Sequence, residues 1–300
     1  MDYVIVSTLV TDDITLHSGE HIGFRLGGAG TYAFCGIRLW TDSAMLVTGV
    51  GEDFQELYGS WFLQNQCSMA GITVKDERTA ISEVRYRENA ERTEIPRYGY
   101  EHYLKLEATP REIEKHCAGA RGVYVFKDLA PGYWEQILSL KAQYGFALLW
   151  EINADAASPQ YCDRVRALAE QCDVFSINRT EARAMLSVQD AEEQSLAGWR
   201  VPMVYLRAGR SGAYVIRSGE IHRIPAVKDV QALDPTGAGN ASSAAVLYGY
   251  SEGYGAKACG AMGSISGALA LEQYGPPPFG AAARSRALEL REKMCREMMA

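Results

Sequence analysis

The 300-residue sequence lacks several features that would assign it to other classes of protein. It has no run of 18 uncharged apolar residues, so we expect no membrane-spanning helix. It has no basic cluster, and its net charge is -7, so a nonspecific nucleic-acid partner is not expected. The first residues carry no basic segment ahead of an apolar run, so they do not predict a secretory signal.

Recognisable cysteine spacings and a P-loop are also absent. The seven cysteines form no Cys-x-x-Cys pair and have no histidine partners at metal-ligand spacing. We therefore expect reduced, mostly buried thiols in a cytoplasmic protein. No Gly-Lys-Ser/Thr motif is present, which excludes a P-loop enzyme.

The pattern of apolar residues predicts an α/β fold. Apolar strand patterns at 122–126, 147–151, 174–177, 203–206 and 213–217 alternate with helical ones, and 3–10 and 44–50 also read as buried strands. This alternation predicts a parallel sheet with helices on both faces. Residues 77–102 are rich in charges and aromatics and predict exposed antiparallel strands. No linker divides the chain, so we expect one domain spanning 1–300.

The most informative motif is Asp234-Pro-Thr-Gly-Ala-Gly-Asn240, which runs into a stretch of small apolar residues. Gly237 and Gly239 lack a side chain, so backbone N–H groups can approach a ligand closely. A helix starting near Asn240 would add unpaired N–H groups and the positive end of its dipole, which suits a phosphate. The alternative is a simple helix-entry turn.

Weaker motifs precede it, each with an alternative interpretation. Asn178 and Glu181 could form a helix capping box instead of binding a ligand. Asp12 could be a solvated turn residue, and Asp13 competes with it for an inward position. The glycines at 27–30 are too far from the first strand for a dinucleotide-binding fingerprint, whose third glycine is also missing. The other two motifs are Gly51-Glu-Asp-Phe54 and Gly209-Arg-Ser-Gly212-Ala.

Taken together and in this order, these motifs resemble the pfkB/ribokinase family of carbohydrate and nucleoside kinases. The resemblance implies a ribokinase-like three-layer α/β/α fold with a mostly parallel central sheet. It also implies a small β-lid from elements near 12–26 and 77–102, and a homodimer formed through that lid. The implied cofactors are ATP and Mg²⁺, and the implied substrate is a sugar or a nucleoside-like small molecule.

The resemblance also implies residue roles, carried over position by position. Gly237, Ala238 and Gly239 would form the anion hole, with Asn240 at the catalytic position. The implied substrate contacts are Asp12, Gly27, Gly28 and Tyr32. The implied nucleotide contacts are Asn178, Glu181, Gly209, Gly212 and Thr236, with Glu181 reaching magnesium through water. Tyr32 stands where the family often has Asn, and it could stack on a substrate ring or fill space under a small lid.

Asn240 departs from the family pattern, which has Asp as the catalytic base. A carboxamide has no useful basicity. Three outcomes follow: a kinase in which Asn240 orients the hydroxyl, a pseudokinase that binds nucleotide or sugar as a sensor, or a different reaction on a phosphorylated ligand. The first is favoured because the glycine turn, the Asn-x-x-Glu motif and Asp12 are all retained. Asp234 is the nearest substitute base, although its family counterpart points elsewhere.

Overall fold

A computed structural model describes residues 1–87, 92–228 and 230–298. Its strands are β1 (Tyr3–Val6), β2 (Val10–Thr15), β3 (His21–Gly27), β4 (Ala44–Gly51), β5 (Ile72–Asp76), β6 (Ile81–Tyr86), β7 (Arg92–Pro96), β8 (Gly122–Lys127), β9 (Ala147–Ile152), β10 (Val174–Asn178), β11 (Met203–Arg207), β12 (Ala213–Arg217) and β13 (Glu220–Ile224). Its α-helices are α1 (Ala29–Arg38), α2 (Phe54–Gln64), α3 (Tyr100–Lys105), α4 (Pro110–Glu114), α5 (Tyr133–Tyr144), α6 (Cys162–Ala169), α7 (Arg179–Leu186), α8 (Glu192–Ala197), α9 (Ala238–Ser251), α10 (Ala256–Ala270) and α11 (Ala281–Glu297).

Nine of these strands form the central sheet, in the order β13-β12-β11-β10-β9-β8-β1-β4-β5. The pairs from β11 through β5 are parallel, whereas β12 and β13 pair antiparallel at one edge. Successive residues of β1 pack into two different hydrophobic clusters, one on each face of the sheet. Tyr3 and Ile5 pack with residues of α1, α9 and α10, while Val4 and Val6 pack with residues of α5, α6 and α7. Helices therefore cover both faces of the sheet, and the predicted three-layer α/β/α fold is confirmed.

A second, four-stranded sheet has the order β3-β2-β6-β7. We call it the lid sheet. Its strands fall within the two segments predicted to form a lid, near 12–26 and 77–102. Residues 88–91 of the second segment lie outside the described residues. The end of that segment is helical, because α3 begins at Tyr100. The assignment of 1–300 to one domain stays a prediction.

Several predicted boundaries were wrong. Residues 3–10 are not one strand: β1 ends at Val6, and β2 begins at Val10 in the lid sheet. Only Ser7 and Thr8 interrupt the apolar run at this break, and Thr is common in strands, so the pattern did not reveal the break. The strand β13 and the short helix α8 were not predicted. The last helix was expected to reach residue 299, which lies outside the described residues.

Two further expectations can be compared with the structure. All seven cysteines lie in the described residues, and all seven are free thiols, five of them buried. Within the described ranges, no helix is long and apolar enough to cross a membrane.

Candidate active site

A cavity of about 490 Å³ lies between the lid sheet and the carboxyl ends of the central strands. Alternate lid residues line it, including Asp12, Ser82 and Glu94. Their neighbours Asp13 and Glu83 are directly paired across the sheet and face the other way, since side chains alternate along a strand. The lid sheet therefore covers the cavity with one face only.

Asp12 and the glycines after β3 lie together at one side of the cavity. Asp12 is only 4% exposed and lies in β2, so it is not the solvated turn residue considered above. A side chain at Gly27 would overlap the Asp12 carboxylate. Gly28 lines the cavity with a φ of 90° and caps α1. The structure thus brings these three predicted substrate contacts to one place.

Tyr32 is almost completely buried, with 1% exposure, and its ring lies against Gly237. A Cβ at Gly237 would overlap that ring, and the φ of 72° at Gly237 also favours glycine. The Tyr32 hydroxyl is buried and has no hydrogen-bond partner among the described residues. Burial, followed by the charges of Asp12 and Asp234, raises the pKa of Tyr32. Tyr32 lines the cavity and at the same time supports the glycine turn.

The glycine turn is tied to the lid sheet through Asp234. Its carboxylate accepts hydrogen bonds from the Thr236 backbone N–H at 2.7 Å and from the Tyr86 hydroxyl. The Tyr86 hydroxyl also lies 2.8 Å from Thr236 Oγ1. Asp234 is 1% exposed and is not among the residues that line the cavity. It holds the turn in place, which makes it a poor substitute base.

Asn240 lies in the first turn of α9, which begins at Ala238, two residues earlier than expected. Its Nδ2 donates to Glu151 Oε1 and to the Tyr124 hydroxyl, both at 3.2 Å. Tyr124 in turn donates to Glu151 Oε2 at 2.7 Å. Because the amide nitrogen is committed to these acceptors, the orientation of the Asn240 side chain is fixed. Glu151 is 1% exposed, and burial followed by the Glu151 charge raises the pKa of Tyr124.

Arg207, at the end of β11, completes this group. Its Nη1 pairs with Glu151 Oε1 at 2.7 Å, and its Nη2 lies 3.9 Å from Glu181 Oε2. Burial alone lowers the pKa of Arg207, but Glu151 and Glu181 outweigh it and the net pKa is raised. A side chain at Gly239 would meet Arg207 Nη1, so the guanidinium lies directly beside the anion turn.

Sequence reasoning missed Glu151, Tyr124 and Arg207. A usable signal was present for two of them. Glu151 and Arg207 are single charged residues at the ends of otherwise apolar buried strands. In open parallel sheets, ligands bind at the carboxyl ends of the strands, so such residues are candidates for a binding site.

Four of the predicted nucleotide contacts lie at or just after the ends of β10 and β11, outside the cavity, whereas the fifth, Thr236, lines the cavity. Asn178 and Glu181 form the reciprocal capping box of α7, with bonds of 2.8 Å and 3.0 Å. Burial raises the pKa of Glu181 despite the opposing effect of Arg207. Gly209 opens a short 3₁₀ turn, and the close approach of Gly212 to Ile224 leaves no room for a side chain. Their nucleotide-binding role stays a prediction.

The residues fit a phosphate well. The 14-residue helix α9 has no acidic residue in its first turn, and Arg207 supplies a positive charge beside Gly239. For a metal ion, the described residues bring together no group of three candidate ligands. The predicted contact of Glu181 with magnesium through water stays a prediction.

The three-layer fold, the lid over the cavity and the glycine turn at a helix N-terminus define an enzyme that binds a phosphorylated ligand beside a small acceptor. The sequence matches the pfkB family carbohydrate kinase model over residues 2–278, so the chain belongs to the pfkB family. The chain is thus an ATP-dependent kinase of the class that phosphorylates a hydroxyl of sugars or nucleosides.

Related proteins agree with this assignment. A cytidine kinase of Thermococcus kodakarensis is 22% identical, over 92% of this chain and 98% of that protein. The nucleoside kinase of Burkholderia thailandensis in complex with inosine is 18% identical, with a TM-score of 0.75 and coverage of 96% of both chains. A putative ribokinase II of E. coli with ATP and Mg²⁺ is 17% identical, with a TM-score of 0.76 and coverage of 99% of both chains. These comparisons give no support to the pseudokinase alternative.

Proposed function

We propose that this kinase phosphorylates an uncharged acceptor with a flat ring, for which a nucleoside is the best candidate. Asn240 orients the acceptor hydroxyl without removing its proton. The proposal rests above all on the chemistry of the cavity lining, which combines acidic and aromatic side chains.

The charge of the lining disfavours anionic acceptors. Among the described residues that line the cavity, the single cation is Lys127, and its Nζ lies 2.6 Å from Glu107 and 3.5 Å from Asp128. The acidic lining residues are Asp12, Glu94, Glu107, Asp128 and Asp155. A sugar phosphate or sugar acid would meet this excess of negative charge with no free cation among those lining residues, so its binding would be opposed electrostatically.

Aromatic side chains favour a flat ring over a simple sugar. The rings of Tyr100 and Tyr103 are nearly parallel, with an interplanar angle of 7° and centroids 6.3 Å apart. Tyr103 is held in place by a 2.7 Å hydrogen bond to Thr8. Phe126 and Tyr133 also line the cavity. Such faces stack well on a nucleobase, while the acidic groups accept hydrogen bonds from ribose hydroxyls.

Transfer requires the acceptor oxygen to form a bond to the γ-phosphorus while the bond to the ADP oxygen breaks. Catalysis of this step is mostly positioning and charge stabilisation. The backbone N–H groups of Ala238 and Gly239 are placed to stabilise the developing charge. Asn240 Oδ1 accepts a hydrogen bond from the acceptor hydroxyl, whose proton leaves to solvent or to the transferred phosphoryl group. When bound, Mg²⁺ supplies charge neutralisation at the phosphate oxygens.

Release of ADP from Mg-ATP, measured with a panel of acceptors, tests this proposal. We expect turnover with cytidine, inosine or adenosine, weaker turnover with ribose or fructose, and none with sugar phosphates. In Tyr100→Leu the KM for nucleosides should rise while the KM for sugars changes little. Exposed Leu57→Ala, outside the cavity lining, is the matched control. Preference for a phosphorylated or acidic acceptor would contradict the proposal.

Two further expectations belong to this proposal. A homodimer through the outer face of the lid sheet is supported by Phe24 and Ile95, which are 54% and 53% exposed on that face. Light scattering on the wild type and on Phe24→Ser tests the homodimer, and a monomeric wild type would refute it.

A cytoplasmic location agrees with seven free thiols and is tested by fractionation.

A further inference from the structure

We propose that Arg207 is a catalytic residue that binds the transferred phosphoryl group directly, exchanging its contact with Glu151 for phosphate oxygens when nucleotide binds. This inference rests on the proposed kinase function. It assigns the charge stabilisation at the reacting group to a side chain that no sequence motif singled out.

The donors of Arg207 are incompletely used in the structure. A guanidinium has five N–H donors. Its Nη1 pairs with Glu151, Glu181 is beyond hydrogen-bond distance at 3.9 Å, and Nε is buried with no partner among the described residues. An arginine that serves stability alone is expected to have its buried donors satisfied, and Arg207 Nε is not, although an unsatisfied buried donor is costly.

The position of Arg207 is also unfavourable unless an anion binds. Its Nη1 lies against the backbone at Gly239, in the first turn of α9. The positive end of a helix dipole and a guanidinium repel each other, and α9 has no acidic residue in its first turn. Glu151 offsets part of this charge from one side. A phosphoryl group at the turn would accept hydrogen bonds from the backbone and the guanidinium together.

Arg207 stays protonated throughout the reaction, because arginine does not lose its proton in proteins. The oxygen–phosphorus bond to the acceptor forms as the bond to ADP breaks, and the guanidinium follows the transferred oxygens. Its carboxylate partner Glu151 then keeps Asn240 oriented through the hydrogen bond already present.

The test compares Arg207→Met and Arg207→Lys with Arg111→Met, an exposed arginine of α4 outside the cavity lining. We expect Arg207→Met to lower kcat by about 10²–10³-fold, the usual effect of losing one such donor. It should also weaken binding of a non-hydrolysable ATP analogue more than binding of ADP, and leave AMP binding unchanged. Arg207→Lys should be intermediate, and Arg111→Met should match the wild type.

A second variant guards against a folding defect. Arg207→Met leaves Glu151 buried without its cation, so Arg207→Met combined with Glu151→Gln removes both charges. Under the proposal, the double variant folds, and its binding of the ATP analogue is still weakened more than its binding of ADP. Glu151→Gln alone should bind the analogue more tightly than wild type, because the carboxylate no longer competes with phosphate for Arg207.

The outcomes separate this inference from the proposed function. A wild type that neither binds the analogue nor turns over would overturn the kinase proposal, and this inference with it. A functional wild type with Arg207→Met of equal kcat would overturn the inference alone. Equal weakening of analogue, ADP and AMP would show that Arg207 has a general structural effect, and would also overturn it.

Discussion

Replacing Asn240 by Asp restores the carboxylate of the family pattern, and from sequence alone it should raise turnover by about 10²–10⁴-fold. The structure changes that expectation. Asn240 Nδ2 lies 3.2 Å from Glu151 Oε1, a carboxylate that is 1% exposed. In Asn240→Asp, a second carboxylate oxygen would stand where the amide nitrogen donates.

The magnitude follows from the distance. Two like charges at this separation repel by about 5 kcal/mol at an effective dielectric constant of about 20. This repulsion raises the pKa of the introduced carboxyl well above its usual range, and Arg207 beside Glu151 offsets part of the effect. The two carboxyls should therefore share one proton at neutral pH. The introduced carboxyl is then ionised, and able to act as a base, in only a fraction of the protein molecules.

The pH dependence gives the assay. The introduced carboxyl has a folded-state pKa above its unfolded value of about 4, so the folded state favours its protonated form. The loss of stability is small below about pH 4 and grows as the pH rises toward the folded pKa. Thermal unfolding of Asn240→Asp should thus show a Tm deficit that widens from pH 5 to pH 8, reaching about 2–4 kcal/mol in free energy.

The matched control exchanges the two side chains. Asn240→Asp with Glu151→Gln keeps one carboxylate and one amide, so the widening deficit should disappear. If the wild type lacks only its base, this double variant should show the full gain in turnover and Asn240→Asp alone a smaller one. An Asn240→Asp protein with wild-type Tm from pH 5 to pH 8 would refute the reasoning about Glu151.

Three other predictions follow from the same structure. Gly239→Val should place its side chain against Arg207 Nη1, displace the guanidinium beside the anion turn and weaken Mg-ATP binding in calorimetry, whereas Gly280→Val, which faces open space, should not; equal affinities would count against the anion site. Tyr86→Phe removes the hydroxyl that bonds to Asp234, so the free energy of unfolding should fall by about 1–3 kcal/mol and the KM for the acceptor should rise. An unchanged Tm and KM would show that this hydrogen bond does not couple the lid sheet to the glycine turn. Glu192 is 1% exposed and, despite burial, a hydrogen bond from its own backbone N–H and two arginines lower its pKa. Its stabilisation is therefore present above the unfolded pKa and is lost as the pH falls through the folded pKa. Glu192→Gln should be less stable than wild type at pH 7, by a difference that shrinks as the pH falls below the unfolded pKa; a constant difference would contradict this sign.

The sequence by itself determined the class of fold. The strands at 122–127, 147–152, 174–178 and 203–207 match their predicted positions closely, because buried parallel strands are uniformly apolar and short. The capping box of Asn178 and Glu181 was also readable from a four-residue pattern, and the structure forms it. These features depend on local periodicity and local hydrogen bonds, which a sequence displays directly.

The composition of the catalytic neighbourhood depended on the tertiary structure. The sequence indicated that Asn240 lacks the basicity of Asp, but not that Glu151, 89 positions away, holds its amide. Glu151 lies in β9, Glu181 in the helix that follows β10, and Arg207 in β11, and only the order of these adjacent strands brings Arg207 within 4 Å of both carboxylates. Charged residues at strand ends carry no periodic signal of their partners. Which of them meet is decided by the order and register of the parallel sheet, which is a long-range property of the folded chain.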